Sequence, residues 1–582
     1  MKSVLVSMLA LAAVFSSCSK DGETPGQGGP GAITGDTYLS VALGGSRSAR
    51  TYAANTAAGA GARTARSSAA NTAAGTVAES TVKSGYILTF NAQRQKLAAT
   101  PLDVTKDIVL DPANQTLPGQ PSGNTGNISA GEAIKVSDAT KYVMIVLNPT
   151  PALEKTLKTA TSFAELKDKA LSDVTDVVAA KDGFPMINQG VFDGTNADEG
   201  LIECSGNLFT KDNMGSSSTP QEAAKAKPVS VVVVRLVAKV GLSTPMQEVS
   251  TISSPNAIVL EDEAENAAIF LDGWLPNTTN KSYLPYSPLV YDAQNNPGKD
   301  LSIAYRQDNN YPLSPATDFD WLKNATPPSA WNTKSDPVYV VENTMSVAGQ
   351  KVINTTKLVL KARFFPEDFK DASDASRSET WFVFSSDSVG THTELISYKD
   401  MANLLQGTAS GSISADDVKM IQNLMGEIAK KASYVKTGTQ EGDYDALYSD
   451  LSASATPKNP LDKIGYVAAT VRDMSDLADY PGAYMQIYYK GICYYDILIK
   501  HNSNIKDKLV EGKWGVVRNN WYTLKIDKIS KRGTPFIPDP TDPDIVDPSN
   551  PDENTPNEGT DAYLSVTVTV ADWTTWEQGV EL

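Results

Sequence analysis

The sequence is poor in the residues from which most catalytic and metal sites are built. Its 582 residues include only two histidines, His392 and His501, far apart in the chain. His392-Thr393-Glu394 is not a zinc motif, HExxH is absent, and His392 reads as an exposed loop residue. There is no GxSxG elbow and no P-loop. Gly26-Gln27-Gly28-Gly29-Pro30-Gly31 has GxGxxG spacing but follows no strand, so it reads as a soft spacer. Carboxylate pairs such as Asp262 and Glu265 read as solvated charge. The expectation is no catalytic residue, no metal and no cofactor. A glycan-binding or glycan-cleaving β-sandwich is the weak alternative, because the spacing of two acids is invisible in sequence.

Cysteine is equally scarce, with three in all. Cys204 and Cys493 share no spacing motif and read as buried free thiols, with a single disulfide left open. Positive charge is short as well: 51 Lys and Arg against 68 Asp and Glu leave a net charge of −17. That balance argues against nucleic acid or an anionic membrane as a partner, since both require a basic surface. No apolar run is long enough to span a bilayer. The one apolar run, Val4 to Phe15 behind Lys2, reads as a secretory signal covering residues 1–17. It ends in Phe15-Ser16-Ser17-Cys18, which resembles a lipobox, where the signal is cut before a cysteine that then carries lipid. Phe15 fits that pattern poorly, and an ordinary signal with an incidental cysteine is the competing reading.

What is present is a chain long enough for about two to four domains, punctuated by two unusual tracts. From Gly44 to Ala78 the sequence is nearly all Gly, Ala, Ser, Thr and Asn, its only charges being Arg47, Arg50, Arg63 and Arg66. Such a tract buries too little apolar surface to offset its ordering entropy, so a mobile, exposed segment is expected. It duplicates a short motif, Ala49-Arg50-Thr51 through Gly59 recurring as Ala65-Arg66-Ser67 through Gly75. Pro535 to Glu558 holds seven prolines and seven acidic residues. It reads as an extended spacer of about 75 Å if fully stretched at about 3.1 Å per residue.

Between these tracts the chain reads as short strands rich in β-branched and aromatic residues. They are Tyr86–Phe90, Tyr142–Leu147, Val231–Val240, Tyr339–Val341, Lys357–Phe364, Met485–Tyr489, Tyr494–Ile499 and Tyr522–Ile526. Two helices interrupt them. Ser162-Phe163-Ala164-Glu165 has the pattern of a capping box opening a helix to about Ala179. Asp416 to Lys431 sets Val418, Ile421, Leu424, Met425 and Ile428 on one face. Both stripes read as core contacts.

The two ends of the chain match. Tyr38-Leu39-Ser40-Val41-Ala42-Leu43 precedes the soft tract, and Tyr563-Leu564-Ser565-Val566-Thr567-Val568-Thr569-Val570 follows the spacer. Aligned on Tyr-Leu-Ser-Val, the apolar face Leu39, Val41, Leu43 matches Leu564, Val566, Val568, with Val570 and Trp573 beyond. Strands of equal apolar register can fill the same groove, because register decides which side chains face the core. The physical reading is replacement. Cutting at an arginine frees the N-terminal strand, and the tail of another copy fills the groove it leaves, a head-to-tail contact that propagates as a filament.

At this point the residues resemble a family. The segments Tyr142–Asn148, Phe184–Asn188, Arg235–Val240, Val340–Thr344, Val516–Tyr522 and Val568–Trp573 are similar to those of Bacteroidales fimbrillins, the type V pilus subunits. The likeness is greatest to the shaft subunit of the short (minor) fimbriae. Ser19-Lys20-Asp21-Gly22-Glu23 likewise resembles the acidic export tag of Bacteroidales surface lipoproteins.

The resemblance implies a mainly β fold: two transthyretin-like Greek-key β-sandwich domains with a few inserted helices, plus a C-terminal donor strand. It implies a propeptide at 18–50 carrying lipid on Cys18 and cut by an arginine-specific protease between Arg50 and Thr51. Because the motif is duplicated, Arg66 competes, so the cut may fall as late as 66; Arg47 and Arg63 are lesser candidates. The expected order is then an N-terminal sandwich at 51–285 and a C-terminal sandwich at 286–534. A linker at 535–559 and a donor tail at 560–582 follow.

The displaced strand would carry Leu39, Val41 and Leu43. The donor strand would carry Leu564, Val566, Val568, Val570 and Trp573. The implied partners are further copies of the chain, anchor and tip subunits, the protease, and host or bacterial surface ligands. The implied location is a fimbrium, built from a precursor anchored in the outer membrane. Tip subunits of the family generally lack the tail and anchor subunits lack the cleavage, so possession of both favours shaft over a non-polymerising anchor or tip adhesin.

Overall fold

A computed structural model describes residues 36–45, 72–74, 76–110, 130–188, 200–243, 268–288, 305–312, 316–323, 328, 330–334, 336–366, 380–386, 393–405, 413–431, 484–502, 509–529, 532–537 and 564–574. Within them the chain is mainly β, with short helices set between strands and sheets packed face to face. No helix among them is long and apolar enough to cross a membrane.

The first sheet places the strands Val41–Gly45, Val229–Arg235, Met186–Asn188, Tyr142–Leu147, Gly85–Phe90 and Lys96–Pro101 side by side in that order. Its central strand Tyr142–Leu147 is apolar without interruption because both faces are buried, and the side chains of the central strands sort by parity. Ile87, Val143, Ile145 and Leu147 enter one core with Leu39, Val41 and Leu43. Tyr86, Leu88, Phe90, Met144 and Val146 enter the other, beneath the helices Pro151–Thr159, Phe163–Lys167 and Val174–Ala179.

The expected helix from Ser162 to Ala179 is broken in two. Residues between its halves pair instead as β structure: Leu171 N–H donates to the Tyr283 carbonyl at 2.9 Å, and the reverse bond is also 2.9 Å. Ser162 caps the first half at Glu165 N (3.3 Å), while the Glu165 carboxylate turns to Thr161 N at 2.7 Å. The second helix matches its expectation closely, running Ala415–Lys431 with Val418, Ile421, Leu424 and Met425 buried.

The run Val231 to Val240 is also two strands. Val229–Arg235 lies in the first sheet; after Leu236 the chain enters a second sheet as Val237–Leu242. That sheet runs Val338–Val341, Val237–Leu242, Asn520–Ile529, Leu564–Thr574, Thr72–Ala74. It shares a large core with the sheet Ala268–Asn277, Lys357–Phe365, Ile492–Leu498 and with Trp381, Val383 and Tyr488. Trp381 and Tyr488 stack there at 4.0 Å.

Cys204 and Cys493 are free and buried in different cores, and burial pushes both thiols up to about 12. Two expectations about the tracts need correction. The segment Gly44 to Ala78 is structured at both margins, as the end of Val41–Gly45, as Thr72–Ala74 and as the helix Val77–Ser80. The spacer's first apolar pair, Phe536 and Ile537, is buried, because Thr534 pairs with Tyr494 and holds the chain against the sheet.

Candidate functional site

The N-terminal strand is held by bonds on both sides and by a buried face. Thr37–Leu39 runs antiparallel to Ile134–Val136, with Leu39 opposite Ile134, while Tyr38 exchanges two 2.9 Å backbone bonds with Phe209. The strand then shifts sheets at Ser40. Val41–Gly45 continues parallel to Val229–Arg235 as the edge of the first sheet, pairing Val41 with Val229, Leu43 with Val231 and Gly45 with Val233.

Leu39, Val41 and Leu43 are at most 1% exposed. Each contributes roughly 1.5–3 kcal/mol by leaving water. Taking them away would uncover Ile134, Val136, Val229 and Val231, which belong to the same core.

A polar clamp sits at the sheet change. The Ser40 hydroxyl is fully buried and donates to the Gly131 carbonyl at 2.6 Å. Gly131 N–H donates to the Val41 carbonyl at 3.0 Å, and Val229 N–H donates to the Ser40 carbonyl at 2.8 Å. A buried hydroxyl without a partner is costly, so serine here demands this carbonyl. Position 131 demands glycine, since a Cβ there would lie 2.0 Å from the Asp107 oxygen. Nothing in the sequence around Gly131 signals this contact, which spans 91 residues.

Beyond the arginine tract the chain is anchored again. Thr76 and Glu79 form a reciprocal capping box on Val77–Ser80, a Thr-x-x-Glu pattern legible in the sequence. The Glu79 carboxylate also accepts from Lys239 Nζ at 2.7 Å and from the Tyr339 hydroxyl at 2.6 Å. Arg235 donates to the Glu79 carbonyl at 2.8 Å and to Ser80 Oγ at 2.9 Å, and the Lys239 ammonium lies 3.6 Å from the Trp521 ring centre. Burial raises Glu79, but the bonds from Lys239, Tyr339 and Thr76 outweigh it and leave the carboxyl below its ordinary value. Burial lowers Arg235 to about 10. Farther along the junction Arg518 pairs with Glu342 at 3.0 Å and donates to the Pro285 and Leu284 carbonyls at 2.8 Å each.

The tail is seated on its own chain. Leu564–Thr574 runs antiparallel to Asn520–Ile529, setting Leu564, Val566, Val568 and Val570 opposite Ile529, Ile526, Leu524 and Tyr522. At its end Asp572, Trp573 and Thr574 pair in parallel with Thr72, Ala73 and Ala74. The two matched segments thus occupy different sheets, the N-terminal one at an edge and parallel to its neighbour, the tail between Asn520–Ile529 and Thr72–Ala74. Cys18, Arg47, Arg50, Thr51, Arg63, Arg66, Ser67 and His392 lie outside the described residues. His501 is buried, its Nδ1 2.7 Å from the Tyr522 hydroxyl. Among the described residues no group of three or more His, Cys, Asp or Glu is placed to hold a metal ion.

Residues 486–579 match the family described as "Major fimbrial subunit protein type IV, Fimbrillin, C-terminal". No curated protein matches the chain. Among solved structures, the chain is similar to a fimbrilin from Porphyromonas gingivalis W83 at 11% identity, covering 94% of this chain and 100% of that one, TM-score 0.36. It is also similar to the tip fimbrial protein Mfa3 from Porphyromonas gingivalis at 11% identity, covering 87% and 98%, TM-score 0.28. The C-terminal match spans the strands Ile492–Leu498 and Asn520–Ile529 together with the tail strand, and over those residues the chain is similar to the fimbrillins.

Proposed function

We propose that the chain is the shaft subunit of a cell-surface fimbria, exported as a lipoprotein precursor anchored through Cys18 and activated by an arginine-specific protease. The cut falls after Arg50, with Arg66, Arg47 and Arg63 as alternatives, and the polymer grows head to tail as the tail of one copy replaces the N-terminal strand of the next. The fibre supports adhesion and biofilm formation at the outer membrane, in contact with anchor and tip subunits. One observation carries the reading. The N-terminal strand is an edge strand that seals a hydrophobic core, and its Tyr-Leu-Ser-Val pattern recurs in the tail. Two sandwich domains, divided near 285 and 286 and followed by a linker and a donor tail, fit this arrangement.

The test is to treat the purified precursor with an arginine-specific protease and run it on a gel under mild detergent. The shaft reading requires a ladder that appears only after cleavage. A second reading has its own support, because the tail already pairs with Asn520–Ile529 of its own chain. A subunit that keeps its tail in place would be a non-polymerising anchor or tip adhesin, and a cleaved protein that stays monomeric would select that reading.

A further inference from the structure

We infer that the tail enters the groove of a second copy in the register of the N-terminal strand, and that Ser565 and Val570 decide the exchange. This rests on the strand-exchange reading above and adds the residues that make it specific and one-way. In the precursor the groove takes a buried side-chain hydrogen bond from this strand, the Ser40 hydroxyl on the Gly131 carbonyl at 2.6 Å. An apolar residue there would leave that carbonyl without this donor, and a larger polar one would not fit a strand buried on its apolar face. The tail carries serine at the matching position, Ser565, between Leu564 and Val566. On its own chain that serine pairs with Lys528 at the margin of a register shift, and in the groove of another copy its hydroxyl takes the place of Ser40 on the Gly131 carbonyl.

In this register Leu564 lies opposite Ile134, Val566 opposite Val229, and Val568 opposite Val231, in the places of Leu39, Val41 and Leu43. The Val566 carbonyl takes the bond from Gly131 N–H that Val41 accepts in the precursor.

The direction of exchange comes from the next position. The precursor strand ends in Gly44-Gly45, and Gly45 stands opposite Val233, a residue 2% exposed in the same core. Glycine supplies no side chain at that place and weakens a strand. The tail supplies Thr569-Val570, both strong strand formers, with Val570 on the face of Val566 and Val568. One position trades leucine for valine, Leu43 for Val568, while another trades glycine for valine and the pairing extends beyond it. The incoming tail therefore covers more of the groove's edge than the strand it replaces, and the cleaved strand leaves.

The test uses the full-length precursor, cleaved with an arginine-specific protease, with the rate of ladder growth and retention of the N-terminal fragment as readouts. Ser565→Ala and Val570→Gly should each slow ladder growth about tenfold or more, and Thr569→Ala, on the other face, should not. Val570→Gly also loosens the tail from its own chain, which would speed release, so slowing reports the groove. Gly45→Val should keep the cut fragment bound to the monomer through gel filtration, where the wild-type fragment separates. No ladder from the wild type overturns the strand-exchange reading itself. A wild-type ladder with all three variants behaving like wild type overturns only the register and the roles of Ser565 and Val570.

Discussion

Lys239 and Glu79 meet in a 2.7 Å ion pair whose side chains are only 3% and 4% exposed. Glu79 sits on the short helix just past the arginine tract, and Lys239 on the strand Val237–Leu242 of the second sheet. The pair therefore ties the segment that follows the proposed cuts to the junction of the two sheets. Removing one partner of a buried pair leaves the other charge uncompensated, so Glu79→Ala should cost roughly 3–5 kcal/mol. The pH dependence has a definite sign. Glu79 titrates below its ordinary 4.5 in the fold, so its contribution is complete above that value and is lost as pH falls through the lower folded one. Thermal melts between pH 7 and 3 should show the gap between wild type and Glu79→Gln closing in acid. A gap that stays constant to pH 3 would contradict the pairing.

The duplicated arginine motif predicts redundancy in maturation. Arg50→Ala should leave substantial processing through Arg66, with the polymer then beginning at Ser67 instead of Thr51. N-terminal sequencing of sheared fibres decides this. A start at Ser19 or Tyr38 would end the activation scheme, and replacing all four arginines should leave a monomeric precursor.

Cys18 lies ahead of every described strand, so Cys18→Ala should abolish surface assembly without unfolding the sheets. Metabolic labelling with a fatty acid tests it. Label retained on the alanine variant would show that another residue is acylated.

Adjacent tail positions should respond very differently to charge. Val566→Asp places a carboxylate at a position paired with Ile526 at home and matched to Val41 in the groove, and should block the ladder. Thr567→Asp faces the other way and stands opposite Lys525, where an opposite-charge pair is mildly favourable. Equal loss at the two positions on a polymerisation gel would contradict the alternation of the tail strand.

Strands were the most legible part of this chain. Tyr142–Leu147 could be read as a strand from composition, and its lack of alternation has a simple cause, a core on each face. Val231 to Val240 looked like one strand because nothing local marks Leu236, where the chain changes sheets between two partners distant in sequence. The helix expected from Ser162 to Ala179 was interrupted by Tyr283, more than a hundred residues away. The Gly44 to Ala78 tract reads as mobile and exposed because its side chains bury little. Backbone pairing of Thr72–Ala74 with the tail needs no side-chain area and leaves no trace in composition.

By itself the sequence determined most strand-forming segments, the helix Ala415–Lys431, the Ser162 cap, the matched apolar faces of the two chain ends and the arginines between them. These depend on local periodicity, which a few neighbouring residues settle. Tertiary structure decided where each matched strand sits, one at an edge parallel to Val229–Arg235 and the other antiparallel to Asn520–Ile529 with Thr72–Ala74 beyond it. It also decided that Ser40 must meet Gly131 and that Glu79 must meet Lys239. Alternation fixes which face of a strand is buried, but any edge with an apolar face beneath it satisfies that requirement. The choice among edges rests on backbone pairing and on single buried polar groups, and their partners come into reach only when distant parts of the chain pack together.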